Sequence, residues 1–180
     1  ESWLPVEATW EFRDADGELV ERIGKTFQYP EGEDSPATVR IDIRRSGGET
    51  DRTEEMEIPV GTLGTEGLAF PFRTLGFAPD LSTRFHLVTN EPKLYRMKLI
   101  YLGEETVTVP AGTFLCHKIR LVADFGFWNF LVRPFIPDTF FWHTVAEPHI
   151  WVKYQGLESS PGSPRVILEL VSFQPAAWLR

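Results

Sequence analysis

The chain holds one cysteine, Cys116, among its 180 residues. No internal disulfide can form, and with no nucleophile motif around it the residue reads as a small buried hydrophobe. Basic residues are scarce: 18 Lys and Arg stand against 26 Asp and Glu, for a net charge of −8. Phosphate binding needs a basic field, so this balance argues against a nucleic-acid partner and against electrostatic docking on anionic lipid. No run reaches the ~18 apolar residues of a transmembrane segment. No basic stretch followed by an apolar one opens the sequence, so no export signal is read. Catalytic signatures are missing too. There is no G-x-S-x-G elbow, and Gly61, Gly64 and Gly67 lack the lysine and spacing of a phosphate loop. No cofactor is implied. Aromatic residues, in contrast, are plentiful: 14 Phe and 6 Trp exceed what a minimal core needs, so some are expected to line a cavity or a patch.

The dominant pattern has period two. Val6, Ala8, Trp10 and Phe12 alternate with Glu7, Thr9 and Glu11. Asp14-Ala15-Asp16-Gly17 then separates this run from Leu19–Tyr29, a hairpin signal. Val39, Ile41 and Ile43 alternate with Arg40, Asp42 and Arg44, and after Ser46-Gly47-Gly48 the chain returns through Met56, Ile58 and Val60. Glu54, Glu55 and Glu57 read as the solvated face of an edge strand. Further on, Tyr95, Met97, Leu99 and Tyr101 oppose Arg96 and Lys98. After a turn at Pro110-Ala111-Gly112, Leu115, Ile119 and Leu121 oppose Lys118 and Arg120. Two closing strands, "HIWVKYQ" and "RVILELVSF", complete the series, and Glu169 is placed to pair across strands with the lysines. Strands joined by turns in chain order predict one mainly β domain over 1–180, a strongly curved antiparallel meander forming a half-barrel or open barrel. One or two short helical segments serve as a lid. A helix between Thr65 and Leu75, limited by Pro71, is the first candidate.

Residues 125–142 break the economy. They carry eleven large apolar side chains around Gly126, Pro134 and Pro137, too apolar for a solvated loop and too interrupted for one regular element. Phe127, Trp128, Phe130 and Phe135 are the residues expected to close a cavity or to dock a partner.

Two constellations carry candidate chemistry. His143, Glu147 and His149 form the best metal-like set, but Pro148 and Thr144-Val145 oppose a helix there, and solvated turn residues are the default reading. His117 shares the apolar face of Leu115, Ile119 and Leu121. It reads either as a core histidine bonded to a carbonyl or a tyrosine, or as a polar contact inside a ligand cavity.

The stretch "ETVTVPAGTFLCHKIRL", followed by the aromatic strand Phe140–His143, the strand Val152–Gly156 and the strand Ile167–Leu170, resembles a bacterial family of envelope proteins. The likeness covers residues 82–173. That family resembles the lipoprotein-carrier (LolA/LolB-like) fold, and the resemblance implies a curved sheet around an apolar cavity and a periplasmic or envelope location once an export signal has been removed.

Three readings follow. The first is non-enzymatic binding or carriage of a lipid-like or other apolar small molecule, in a cavity lined by Trp10, Ile41, Tyr95, Met97, Leu99, His117, Ile119, Tyr154 and Leu168. The second is a structural domain whose segment 125–142 docks another envelope protein or a membrane surface. The third, supported least, is a hydrolase or metalloenzyme using His143, Glu147 and His149.

Overall fold

The structure, a computed structural model, describes residues 4–30, 36–46, 51–65, 68–126, 138–157 and 163–174. Among them the chain is mainly β, as the alternation requires. β1 to β4 span Glu7–Arg13, Leu19–Gln28, Ala37–Arg45 and Arg52–Ile58. β5 is Leu63–Gly64. β6 to β8 span Ser82–Val88, Leu94–Val109 and Gly112–Ala123. β9 to β11 span Thr139–Thr144, Trp151–Leu157 and Arg165–Glu169. One sheet runs β1-β2-β3-β4, and a curled seven-stranded sheet runs β11-β10-β9-β8-β7-β6-β5. Within each sheet, strands adjacent in sequence are paired. The expected single meander is corrected in two respects: the strands divide into two sheets between β4 and β5, and β5 pairs with β6 in parallel. Among the described residues the expected helical lid is not seen. The helix among the described residues is a single turn, Ala69–Phe72, and Pro71 falls inside it.

The chain forms two compact units, one of residues 1–71 and 85–96, the other of 72–84 and 97–180. In the first, β1 and β2 make the predicted hairpin. The Asp14 carboxylate closes its turn by accepting from the backbone N–H of Asp16 at 3.0 Å and of Glu18 at 2.9 Å. The alternating side chains Ile23, Phe27, Val39, Ile41 and Ile58 form a buried cluster, with Trp10, Phe12 and Met56 packed against it. The same alternation carries Lys25 inward between Ile23 and Phe27, and it is 1% exposed. Its ammonium donates to Asn90 Oδ1 at 2.9 Å, Thr65 Oγ1 at 3.2 Å and the Val88 carbonyl at 3.4 Å, as a buried charge requires. β4 is an end strand of its sheet, with Glu55 and Glu57 exposed, as the acidic run predicts.

The second unit is built on β8, which pairs with β7 and β9, with β10 and β11 beyond. A bulge in β7 sets its two faces: Tyr101 lies opposite Ile119, Leu102 is extra, and Gly103 lies opposite Lys118. Past the bulge, Glu104 falls on the face of His117, while Glu105 and Val107 fall on the face of Cys116. Both faces of β8 are therefore occupied. Cys116, at 0% exposure, joins Val107, Val109, Trp142 and Val152 in a cluster on the face that carries Lys118. Leu115 is a correction. It was expected inward with Ile119, but it is 50% exposed, because it precedes the first β8–β9 pair, Cys116 with Thr144.

Candidate functional site

The candidate site lies on the His117 face of the second unit. β8 and β9 pair His117 with His143 and Ile119 with Phe141, so these four side chains share one face. β10 adds Tyr154 opposite Phe141 and Trp151 opposite His143. The segment 72–84 brings Phe72 and Phe77 to the same unit. It is tied down by the Tyr101 N–H donating to the Leu81 carbonyl at 3.1 Å and by Arg73 Nε donating to the Pro148 carbonyl at 2.9 Å.

The aromatic contacts fall into two runs. Phe72 meets Phe141 edge-on at 5.1 Å, and Phe141 meets Tyr154 at 5.0 Å. Phe77 stacks on His117 with ring centroids 3.9 Å apart and planes 15° apart, and meets Tyr101 at 5.9 Å and His149 at 5.2 Å. His117 is buried, and its Nδ1 shares a 3.0 Å hydrogen bond with the Tyr101 hydroxyl. Burial pushes its pKa down; the Glu104 carboxylate, 3.7 Å away, opposes this and His149 adds to it, and the net shift is downward. The imidazole is therefore held neutral at pH 7. His149 sits at φ 52°, and its Nδ1 donates to the Thr144 carbonyl at 2.9 Å. Thr144 Oγ1 fixes the same turn by donating to the Ala146 carbonyl and accepting from the Ile150 N–H.

The cavity candidates divide between the two units. Trp10, Ile41 and Tyr95 belong to the first; Met97, Leu99, His117, Ile119, Tyr154 and Leu168 belong to the second. Ile41, Leu99 and Ile119 are fully buried. Trp10, Tyr95, Met97 and Tyr154 are half-buried. Leu168 is 47% exposed on β11. Phe127, Trp128, Phe130 and Phe135 lie outside the described residues. The end of the apolar segment is strand, not loop: Phe141 and Trp142 are buried in β9, between β8 and β10.

The metal-like set is not assembled. Strand alternation turns His143 into the sheet face, fully buried and 6.5 Å from the Phe72 ring, whereas Glu147 is exposed in the turn. Among the described residues no three His, Cys, Asp or Glu side chains are grouped to hold a metal ion. The sequence reading missed Phe77 and His149 as neighbours of His117. Tyr101 had a signal, since it alternates with Leu99, while His149 had none because its position depends on a turn.

The opposite face carries a polar network. Glu105 accepts from Lys118 Nζ at 2.9 Å and from Trp142 Nε1 at 2.7 Å. Burial pushes the Glu105 carboxyl up, but these two hydrogen bonds outweigh it and hold its pKa below the ordinary value. Lys118 lies over the Trp142 ring at 5.0 Å and the Phe140 ring at 5.3 Å, and Lys153 donates to Glu169 at 2.7 Å. Cross-strand pairing accounts for these charges, as their alternation predicts.

No family model matches the chain, and no curated protein matches it. A solved structure, that of a Bacteroides fragilis protein described as exported and of YmcC-like fold, aligns with 83% of this chain and 84% of its own. The identity is 15% and the TM-score 0.21, and a likeness of that size carries no functional argument. No helix among the described residues is long and apolar enough to cross a membrane.

Proposed function

We propose that this protein binds an apolar, lipid-like small molecule without transforming it, in the bacterial cell envelope. The observation that carries the reading is the stacked Phe77–His117 pair. It sets one neutral, hydrogen-bonding side chain among half-buried rings, those of Phe77, Tyr101 and His149. Ligand sites for apolar molecules are built this way, from aromatic walls with a few polar groups that orient the guest. Nδ1 of His117 is already engaged by the Tyr101 hydroxyl, an arrangement that fixes the ring's orientation as a polar contact for a guest. The envelope location rests on the resemblance of residues 82–173.

Titrating the full chain with an environment-sensitive apolar fluorophore tests the reading. Saturable enhancement, displaced by a long-chain fatty acid and weakened by Phe77→Ala with the fold retained, is the expected result. A fluorophore that stays dark at every protein concentration overturns it.

A further inference from the structure

Among the described residues β11 is the outermost strand of its sheet, and its surface is apolar for such a position. Only Val166 is half-buried; Arg165, Ile167, Leu168 and Glu169 are exposed. Ile167 is 58% exposed and Leu168 47%, on opposite faces of the strand, and Val171 and Phe173 extend the apolar surface beyond it. Edge strands are usually blunted by bulges, prolines or inward charges, because their outer N–H and C=O groups template the pairing of another strand. β11 is short and carries Arg165 and Glu169, but it has no bulge and no proline, and its two charges are of opposite sign and flank Ile167.

The hydrogen-bond phase of the strand is fixed. The Leu170 N–H donates to the Val152 carbonyl at 2.9 Å, and Leu168 and Tyr154 are partners in the same register. Val166 and Leu168 therefore turn their backbone groups toward β10, and Arg165, Ile167 and Glu169 turn theirs outward; beyond the strand the Leu170 carbonyl accepts from the Ala111 N–H at 3.0 Å. We infer that this edge pairs with the same edge of a second copy of the chain, antiparallel and centred on Ile167. In that register Ile167 faces Ile167 of the second copy, Val166 faces Leu168, and Arg165 faces Glu169 at both ends. Both Arg165–Glu169 contacts join opposite charges, and each Glu169 already holds Lys153 of its own chain at 2.7 Å. The strand is thus self-complementary in backbone phase, in apolar contact and in charge, as a two-fold interface requires. Sliding the pairing by two residues sets Glu169 against Ile167 and loses the match.

The full chain is examined by sedimentation equilibrium over a range of concentrations, and the expected species is a dimer. Ile167→Pro removes only an outward N–H, leaves the β10–β11 ladder intact, and is expected to give a monomer with an unchanged circular dichroism spectrum. Arg165→Glu sets like charges together at both ends and is expected to raise the dimer dissociation constant about tenfold or more. Combining it with Glu169→Arg restores the charge match and the association. A chain that is monomeric at every concentration overturns the inference. So does a dimer that persists in Ile167→Pro, or one that ignores the charge reversal.

Discussion

The Tyr101 hydroxyl lies 3.0 Å from Nδ1 of His117, across the β7–β8 pair and under the stacked ring of Phe77. Tyr101 is opposite Ile119, not opposite His117. The two are diagonal neighbours on one face of the pair, and the contact spans the register shift at Leu102.

That tie has a pH signature. The folded pKa of His117 lies below the ordinary value of about 6.5, chiefly because burial disfavours the charged ring. In the window between the two values the unfolded chain binds more protons than the folded one, so stability rises with pH there. The contribution is complete above about pH 6.5 and is lost as pH falls through the folded value. His117→Gln is expected to flatten the denaturation midpoint against pH in that window. An NMR titration placing the wild-type imidazole at or above its ordinary value would remove the claim.

Trp142→Phe keeps the ring over which Lys118 lies but deletes the indole donor to Glu105. A hydrogen bond to a charged group that is partly exposed contributes about 1 kcal/mol, so a loss of that size in chemical denaturation is expected. The depressed Glu105 pKa should move up at the same time, and with it the acid limb of stability: a depressed carboxyl stabilises above its unfolded pKa and loses that contribution as pH falls through the folded one. Unchanged acid unfolding in the variant would argue against the network.

Cys116 should be inert. It is fully buried, its thiol lies 3.7 Å from the Phe114 carbonyl, and burial, helped by the Glu105 charge, pushes its pKa up to about 11. The thiolate is the reactive form, so a thiol reagent should label native protein far more slowly than denatured protein at neutral pH. Equal rates would show the site to be open.

Gly112 follows the turn between β7 and β8 at φ 135°, a conformation that side-chain-bearing residues resist. A Cβ there would meet only the Phe114 ring, at 3.8 Å, so the strain is backbone strain and not crowding. Gly112→Val is expected to cost about 1–3 kcal/mol. A denaturation midpoint equal to that of wild type would refute it. Gly156 is the complementary case: its φ is unremarkable, but a Cβ would fall 2.6 Å from the Tyr154 hydroxyl and 2.7 Å from Thr139 Cγ2.

Period-two patterning determined most of the strands without help from the fold. Alternation in β1, β2 and β3 sends Ile23, Phe27, Val39 and Ile41 inward in the way their positions predict. His117 could be placed inside, with a tyrosine as partner, because it alternates with Ile119 and Leu121. The same rule carried Lys25 inward, and the structure satisfies its charge with three oxygens. A pattern of this kind reports which residues share a face, and nothing more distant.

Tertiary structure decided the rest. The bulge at Leu102 reverses the phase of β7, which places Glu104 beside His117 and Glu105 beside Cys116; an inserted residue leaves no mark in an alternation that continues on either side. His143 was drawn into the sheet and away from Glu147 by its pairing with His117, a contact 26 residues apart that no local rule foresees. Phe77 and His149 reach His117 from a strap and a turn, each placed by hydrogen bonds to other elements. Side-chain periodicity is a property of one strand, set by local backbone geometry, whereas the site is an agreement among several elements that only long-range packing brings about.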